Sequence, residues 1–316
     1  MTRRVAAVDC GTNSLRLLVA DVDVGRAQLT DVARRMEIVR LGQGVDRTGL
    51  LAPEALDRTA GVLRDYADVI AASAARAVRM VATSATRDAS NTAEFSRRVK
   101  EILGVAPEVL TGSQEALLSF TGATAELAGT DEGGRPGPYL VADIGGGSTE
   151  FVLGAASPQG EISVNIGCVR MTERHLHGDP PGGHEVAAAT ADIDAALGAV
   201  AGAVPVRQAR TLIGLAGSVT TVAAIAMGLP AYDAARIHHA RVSAADVHEV
   251  TRSLLARTRA DRAAIPVMHP GRVDVIGGGA LVLDRIMQRF GFGEVLVSEH
   301  DILDGIAWSL ARDSSG

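Results

Sequence analysis

The sequence predicts an α/β protein built from two lobes of one duplicated design, and three observations lead to that expectation. Residues 5–19, VAAVDCGTNSLRLLV, and residues 139–153, YLVADIGGGSTEFVL, superpose without a gap, setting Asp9 on Asp143, Gly11 on Gly145 and Ser14 on Ser148. Each copy is an apolar run, a D-x-G-x-x-S turn and a second apolar run, which is the pattern of a β-hairpin closed by small residues. The copies are separated by residues 129–138, GTDEGGRPGP, a Gly/Pro-rich polar stretch that reads as a surface connection between lobes, although a loop inside one domain has the same composition. Outside the hairpins, short apolar segments alternate with longer amphipathic ones.

Taken in chain order, the first lobe spans 1–128. After its hairpin come a helix at 53–72, with Pro53 suited to a first helical turn, a strand at 77–82, a helix at 92–104, a strand at 107–110 and a helix at 113–128. The second lobe, 129–299, continues from its hairpin with a strand at 161–166, a helix at 184–203 and a strand at 211–215. Helices at 217–228, 243–258 and 272–290 follow, then a strand at 294–297. The amphipathic end, residues 300–316, is expected to pack back on the first lobe.

Composition narrows the function. At 316 residues the chain is longer than one core comfortably fills, so two domains are the natural expectation. Net charge is −6 with no dense basic run, and aromatics are 3%; neither a nucleic-acid surface, a membrane surface nor a base-stacking platform follows from such a chain. No window holds 18 uninterrupted apolar residues, and the two cysteines, Cys10 and Cys168, are too few for a disulfide framework. A cytoplasmic protein is expected. Lys100 is the only lysine, which excludes a Walker A loop and lysine Schiff-base chemistry.

The repeated turns have a physical use. Consecutive backbone N–H groups in a Gly-rich turn make a concave anion site, and a hydroxyl adds a donor; Gly11, Thr12, Asn13 and Ser14 in one copy and Gly145, Gly146, Gly147 and Ser148 in the other fit phosphate. One such turn alone is more simply a tight hairpin; two point to a grip on a phosphate chain. The carboxylates beside them, Asp9, Asp143 and Glu150, suit a hard cation such as Mg²⁺ or Mn²⁺. Glu150 lies two residues past Ser148, so strand alternation returns it to the same face. The first copy has Arg16 there, so one turn presents a carboxylate and the other a guanidinium. Gly277–Gly279 sits in a helical stretch and reads as a close helix approach or a secondary ligand contact.

In order along the chain, DCGTNSLRLLV, ATSATRDASN at 82–91, TGSQEA at 111–116, DIGGGSTEF at 143–151, IGCVRMTE at 166–173 and GLAGSVTT at 214–221 resemble the motifs of the exopolyphosphatase and guanosine-pentaphosphatase (Ppx/GppA) family. The resemblance spans nearly the whole chain. It implies two ribonuclease-H-like lobes of the actin, sugar kinase and heat-shock chaperone superfold, with phosphate between them. It implies hydrolysis of a terminal phosphoanhydride, with Glu115 as catalytic base and Arg87 as a phosphate-contacting arginine. Without the resemblance, Glu115 is a first-turn carboxylate stabilising its helix, and Arg87 is as readily a surface ion-pair residue as a bidentate phosphate contact. Relatives commonly carry an acidic pair where this chain has Gln114 before Glu115. Arg170 and the Gly217–Ser218 turn are weaker candidates, the latter equally a helix N-cap.

The implied substrate is inorganic polyphosphate, with short chains preferred because longer relatives append a C-terminal His-Asp domain. The alternatives are pppGpp, a non-catalytic (p)ppGpp or nucleotide sensor, and a small-molecule kinase of the same superfold. A homodimer is expected from the same resemblance.

Overall fold

The chain divides into two units, Met1–Glu126 with Asp301–Gly316, and Leu127–His300. The computed structural model describes residues 2–125, 127 and 137–313; most of the expected connection, 129–136, lies outside the described residues. The sheet of unit 1 contains β1 (Thr2–Cys10), β2 (Ser14–Asp23), β3 (Gln28–Ile38), β4 (Ala77–Ala82) and β5 (Glu108–Val109), ordered β3-β2-β1-β4-β5. The first three strands form an antiparallel meander, and β4 and β5 extend it in parallel on the other side of β1.

Strand β1 reads as an unbroken apolar run because both of its faces are buried. Ala6, Val8 and Cys10 face a core with Leu63, Tyr66 and Phe95, whereas Val5 and Ala7 face a second core, as the two-residue strand period requires. The helices of this part are α1 (Val45–Thr48), α2 (Pro53–Ala72), α3 (Ser84–Asp88), α4 (Thr92–Leu103) and α5 (Gly112–Thr124). The expected helix starting on Pro53 is observed, with proline in the first turn.

In unit 2 the strands are β6 (Tyr139–Ile144), β7 (Thr149–Gly154), β8 (Pro158–Val164), β9 (Thr211–Leu215), β10 (Arg241–Ser243) and β11 (Glu294–Val297), ordered β10-β11-β9-β6-β7-β8. Its helices are α6 (Cys168–His175), α7 (Gly183–Ala203), α8 (Gly217–Ala226), α9 (Ala234–Ile237), α10 (Ala244–Ala256), α11 (Arg259–Ala263) and α12 (Ile276–Phe290). Strands β6, β7 and β8 repeat the antiparallel meander, and β9 and β11 repeat the parallel extension. The duplication legible in two hairpins therefore extends over both sheets, which share the ribonuclease-H-like order; unit 2 adds β10 at its edge.

Helix α7 has the length and apolar composition of a membrane span, but its Ala189, Ile193, Leu197 and Val200 lie in the unit 2 core. Asp194 on the same helix pairs with Arg285. The glycine run at 277–279 proves to be a close helix approach: a side chain on Gly278 would meet the Cys168 carbonyl and one on Gly279 would meet Ser218. Strand β3 was not expected from the sequence. It is an edge strand with a half-exposed, charged surface, so it carries no strong apolar period.

The chain ends in α13 (Ile302–Asp313), which belongs to unit 1. Ile302, Leu303, Ile306, Ala307 and Trp308 complete the second core beneath Val5 and Ala7. Helix α13 packs against α5 at backbone distance: a Cβ on Gly122 would overlap the Asp301 carbonyl, and one on Gly305 would overlap the Leu118 carbonyl. Gly305→Ala is therefore expected to destabilise the protein by about 2–3 kcal/mol through overpacking. Gly198→Ala, in α7 with open space around it, is expected to be neutral or to stabilise by up to about 1 kcal/mol. Urea unfolding midpoints of the two variants check this contrast.

Candidate active site

The carboxyl ends of β1, β4 and β5 lie side by side in the unit 1 sheet, with Cys10 paired to Ala82 and Ala82 to Val109. That edge is where open α/β sheets place their ligands. The turn after β1 is closed by the Gly11 N–H on the Ser14 carbonyl at 2.9 Å. Its carbonyls are held from behind: Asn13 accepts from Val39 and Arg40 at 3.0 and 2.8 Å, and Thr12 accepts from Gly42 at 2.8 Å. Among the described residues the Thr12 and Asn13 N–H groups donate no bond within the chain. Gly42 has to be glycine, because a Cβ there would overlap the Thr12 side chain. The Thr12 hydroxyl is 2.8 Å from that of Ser84, at the start of α3.

Asp9 is 2% exposed. Arg16, its direct cross-strand partner, donates to Oδ2 from Nε and Nη2 at 3.1 and 2.7 Å. Oδ1 is buried without a hydrogen-bond partner among the described residues. Burial pushes the Asp9 carboxyl above its ordinary range, against the opposing pull of Arg16, and Asp301 adds to the rise. Arg16 Nη1 also binds Asp301 Oδ2. The sequence suggested a guanidinium presented to ligand; the structure instead holds Arg16 between two carboxylates. Asp301 was not among the expected site residues, although D-x-x-D at 301–304 repeats the T-x-x-Q spacing at 111–114.

Arg87 and Glu115 are brought together. Arg87, on α3, donates from Nη1 to Glu115 Oε2 at 2.6 Å and to the Leu110 carbonyl at 2.9 Å. Glu115 is 7% exposed, in the first turn of α5. Gln114 has a separate task. Its Oε1 accepts the Thr111 N–H at 2.9 Å while Thr111 Oγ1 accepts the Gln114 N–H at 3.2 Å, a complete capping box. The helix end is thus satisfied by Gln114, and Glu115 turns inward to Arg87.

Unit 2 repeats the turn. Gly145 N–H donates to the Ser148 carbonyl at 3.0 Å. The Gly145 carbonyl accepts from Cys168 at 2.9 Å, and that of Gly146 accepts from Val169 and Arg170 at 2.9 and 3.2 Å. Arg170 Nε caps the Gly147 carbonyl at 2.7 Å, so this arginine supports the turn from behind. Gly167 abuts Gly146 so closely that a Cβ would overlap its carbonyl. Among the described residues the N–H groups of Gly146, Gly147 and Ser148 donate no bond within the chain.

Asp143 and Glu150 stand directly opposite each other across β6 and β7, 6% and 1% exposed, with Ser163 donating to Glu150 Oε1 at 2.7 Å. Facing like charges are unfavourable and their desolvation compounds the cost, so these are the residues of unit 2 that could hold a cation. The three expected metal carboxylates thus fall in two units: Asp9 in unit 1, Asp143 and Glu150 in unit 2. No group of three or more acidic, His or Cys side chains suited to one ion occurs among the described residues. At the end of β9, α8 starts on Gly217 after Ala216, whose φ of 72° is strained for a non-glycine residue. The helix cap is Ala216, without a side-chain bond, so Ser218 is not the cap.

Two ribonuclease-H-like units, each closing its first strand with a donor-lined turn beside a buried carboxylate, define an enzyme of the phosphate hydrolase class. The chain belongs to the Ppx/GppA phosphatase family, whose profile matches residues 18–313. It is 51% identical to Exopolyphosphatase 2 of Mycobacterium tuberculosis, covering 98% of both proteins. The crystal structure of an exopolyphosphatase-like protein superposes with a TM-score of 0.95 at 42% identity, covering 100% of this chain and 99% of that one. A guanosine-5′-triphosphate,3′-diphosphate pyrophosphatase of Pseudoalteromonas atlantica is 26% identical over 98% of this chain and 58% of its own length.

The capping role of Gln114 makes a prediction. Gln114→Glu preserves the box and is expected to keep both stability and phosphatase activity, whereas Gln114→Ala loses about 1 kcal/mol with kcat retained. Thermal melts and phosphate-release assays on both variants check it.

Proposed function

We propose that the protein is an exopolyphosphatase that removes the terminal phosphoryl group of inorganic polyphosphate as orthophosphate. The observation that carries this reading is the pair of turns, 11–14 and 145–148, in which the carbonyls of Thr12, Asn13, Gly145, Gly146 and Gly147 are bonded from behind while the N–H groups of Thr12, Asn13, Gly146, Gly147 and Ser148 have no acceptor among the described residues. Buried N–H groups require acceptors, and non-bridging phosphate oxygens supply them. The identity to Exopolyphosphatase 2 supports polyphosphate as the chain that is held.

Phosphoryl transfer to water asks for positioning and charge neutralisation more than covalent work. Glu115 orients the water and takes its proton as the new O–P bond forms and the bridging O–P bond breaks, and the shortened chain leaves as an anion. Arg87, 2.6 Å from Glu115 Oε2, aims that carboxylate and places a guanidinium beside the reacting phosphate. The turn N–H groups stabilise charge on the non-bridging oxygens. Asp143 and Glu150 would hold Mg²⁺ or Mn²⁺, which supplies further neutralisation of phosphate charge; Asp9, through its buried Oδ1, offers the same chemistry in unit 1.

A second reading is hydrolysis of the 5′-terminal phosphate of pppGpp, supported by the guanosine-5′-triphosphate,3′-diphosphate pyrophosphatase relative. The chemistry is shared and the higher identity favours polyphosphate. Phosphate release measured side by side on short polyphosphate, long polyphosphate, pppGpp and ATP separates the two readings and tests the expected preference for short chains. No release from any polyphosphate would overturn the main one.

Two outcomes follow from the residue roles. Glu115→Gln is expected to lower kcat by about 10²–10⁴-fold without lowering the melting temperature, measured by steady-state kinetics and calorimetry. Chelation is expected to abolish turnover and added Mg²⁺ to restore it, with Asp143→Asn and Glu150→Gln each raising the Mg²⁺ concentration needed for half-maximal rate.

A further inference from the structure

Asp301 lies outside every motif of the two turns, yet its groups reach both halves of the unit 1 site. Its Oδ2 binds Arg16 Nη1, and Arg16 in turn holds Asp9 Oδ2 through Nε and Nη2. Its Oδ1 accepts the Leu303 N–H at 3.0 Å, capping α13. Its backbone carbonyl seats against Gly122 of α5, with no room for a Cβ between them, and α5 carries Glu115. The residue is 6% exposed. Its own N–H donates to Asp304 Oδ2 at 2.9 Å, and Asp304 Oδ1 accepts from Arg34 at 2.6 Å, so it has little freedom to move.

We propose, building on the hydrolase reading above, that Asp301 is a positioning residue: with Arg16 it locks Asp9 and the 11–14 turn, and through α5 it ties that turn to the helix bearing Glu115. Without the Asp301 contact, the long Arg16 side chain would keep more of its rotamer freedom. Shared between two buried carboxylates that leave β1 and enter α13, it becomes a strut of fixed length. The two oxygens of Asp301 have separable tasks, because Oδ1 serves the helix end and Oδ2 serves Arg16. Asparagine caps helices as well as aspartate, but its Nδ2 cannot accept from a guanidinium.

Asp301→Asn therefore isolates the strut from the cap. The expected result with polyphosphate is a kcat lowered about 10–100-fold, the scale of a small displacement of reacting groups, with KM and melting temperature little changed. Arg16→Gln is expected to match it, and the double variant to fall no further than the worse single one, as residues acting through one contact do. Arg79→Gln removes a different tie of α13, the 2.6 Å bond to Ser309, and is expected to leave kcat unaltered.

Hydrogen exchange in peptides covering 9–18 and 112–124 reads the strut without any substrate. Faster exchange in Asp301→Asn but not in Arg79→Gln supports the proposal even if the wild type hydrolyses none of the substrates, an outcome that fails the hydrolase reading alone. Wild-type exchange in Asp301→Asn, wild-type kcat in an active protein, multiplying losses in the double variant, or an equal loss in Arg79→Gln each overturns the positioning role.

Discussion

Four carboxylates, Asp9, Glu115, Asp143 and Glu150, are buried at 7% exposure or less, and much of the surrounding structure answers the cost of taking them out of water. In unit 1 the answer is arginine: Arg16 on Asp9 and Arg87 on Glu115. In unit 2 the residue opposite Asp143 is itself acidic, so the same ladder position that neutralises one copy concentrates charge in the other. A duplicated hairpin has thereby become two chemically different sites by the identity of one side chain, Arg16 against Glu150.

The turns themselves are preorganised mainly by backbone, with the Arg170 side chain adding one bond in unit 2. Each is closed by a glycine N–H on a serine carbonyl, and each has its carbonyls bonded by a neighbouring segment, the 39–42 loop in unit 1 and the start of α6 in unit 2. Gly42 and Gly167 permit those segments to approach. Donors held in this way are preorganised, the condition under which backbone dipoles stabilise developing negative charge.

The duplication continues at a third level. Thr111 and Gln114 cap α5 reciprocally; at the start of α13 Asp304 likewise accepts the Asp301 N–H, whereas the Asp301 side chain accepts from Leu303. One position further on, α5 has Glu115, while α13 has Gly305, packed on the Leu118 carbonyl. One copy places a carboxylate at the helix start and the other a contact surface, and the two helices lie against each other in unit 1.

The hairpins at 5–19 and 139–153, the helix from Pro53 and the strands at 77–82, 211–215 and 294–297 were legible in the sequence, because short apolar runs, turn glycines and a first-turn proline act over a few residues. Strand β3 was not, since an edge strand need not be apolar. The residue types at the candidate site were legible as motifs, but not their partners. That Arg87 meets Glu115, that Arg170 supports a turn from behind, and that Arg16 joins Asp9 to an Asp301 lying 285 residues beyond Arg16 in the chain, was decided by tertiary structure. Which donor meets which carboxylate depends on how strands and helices converge, and no local pattern encodes that convergence.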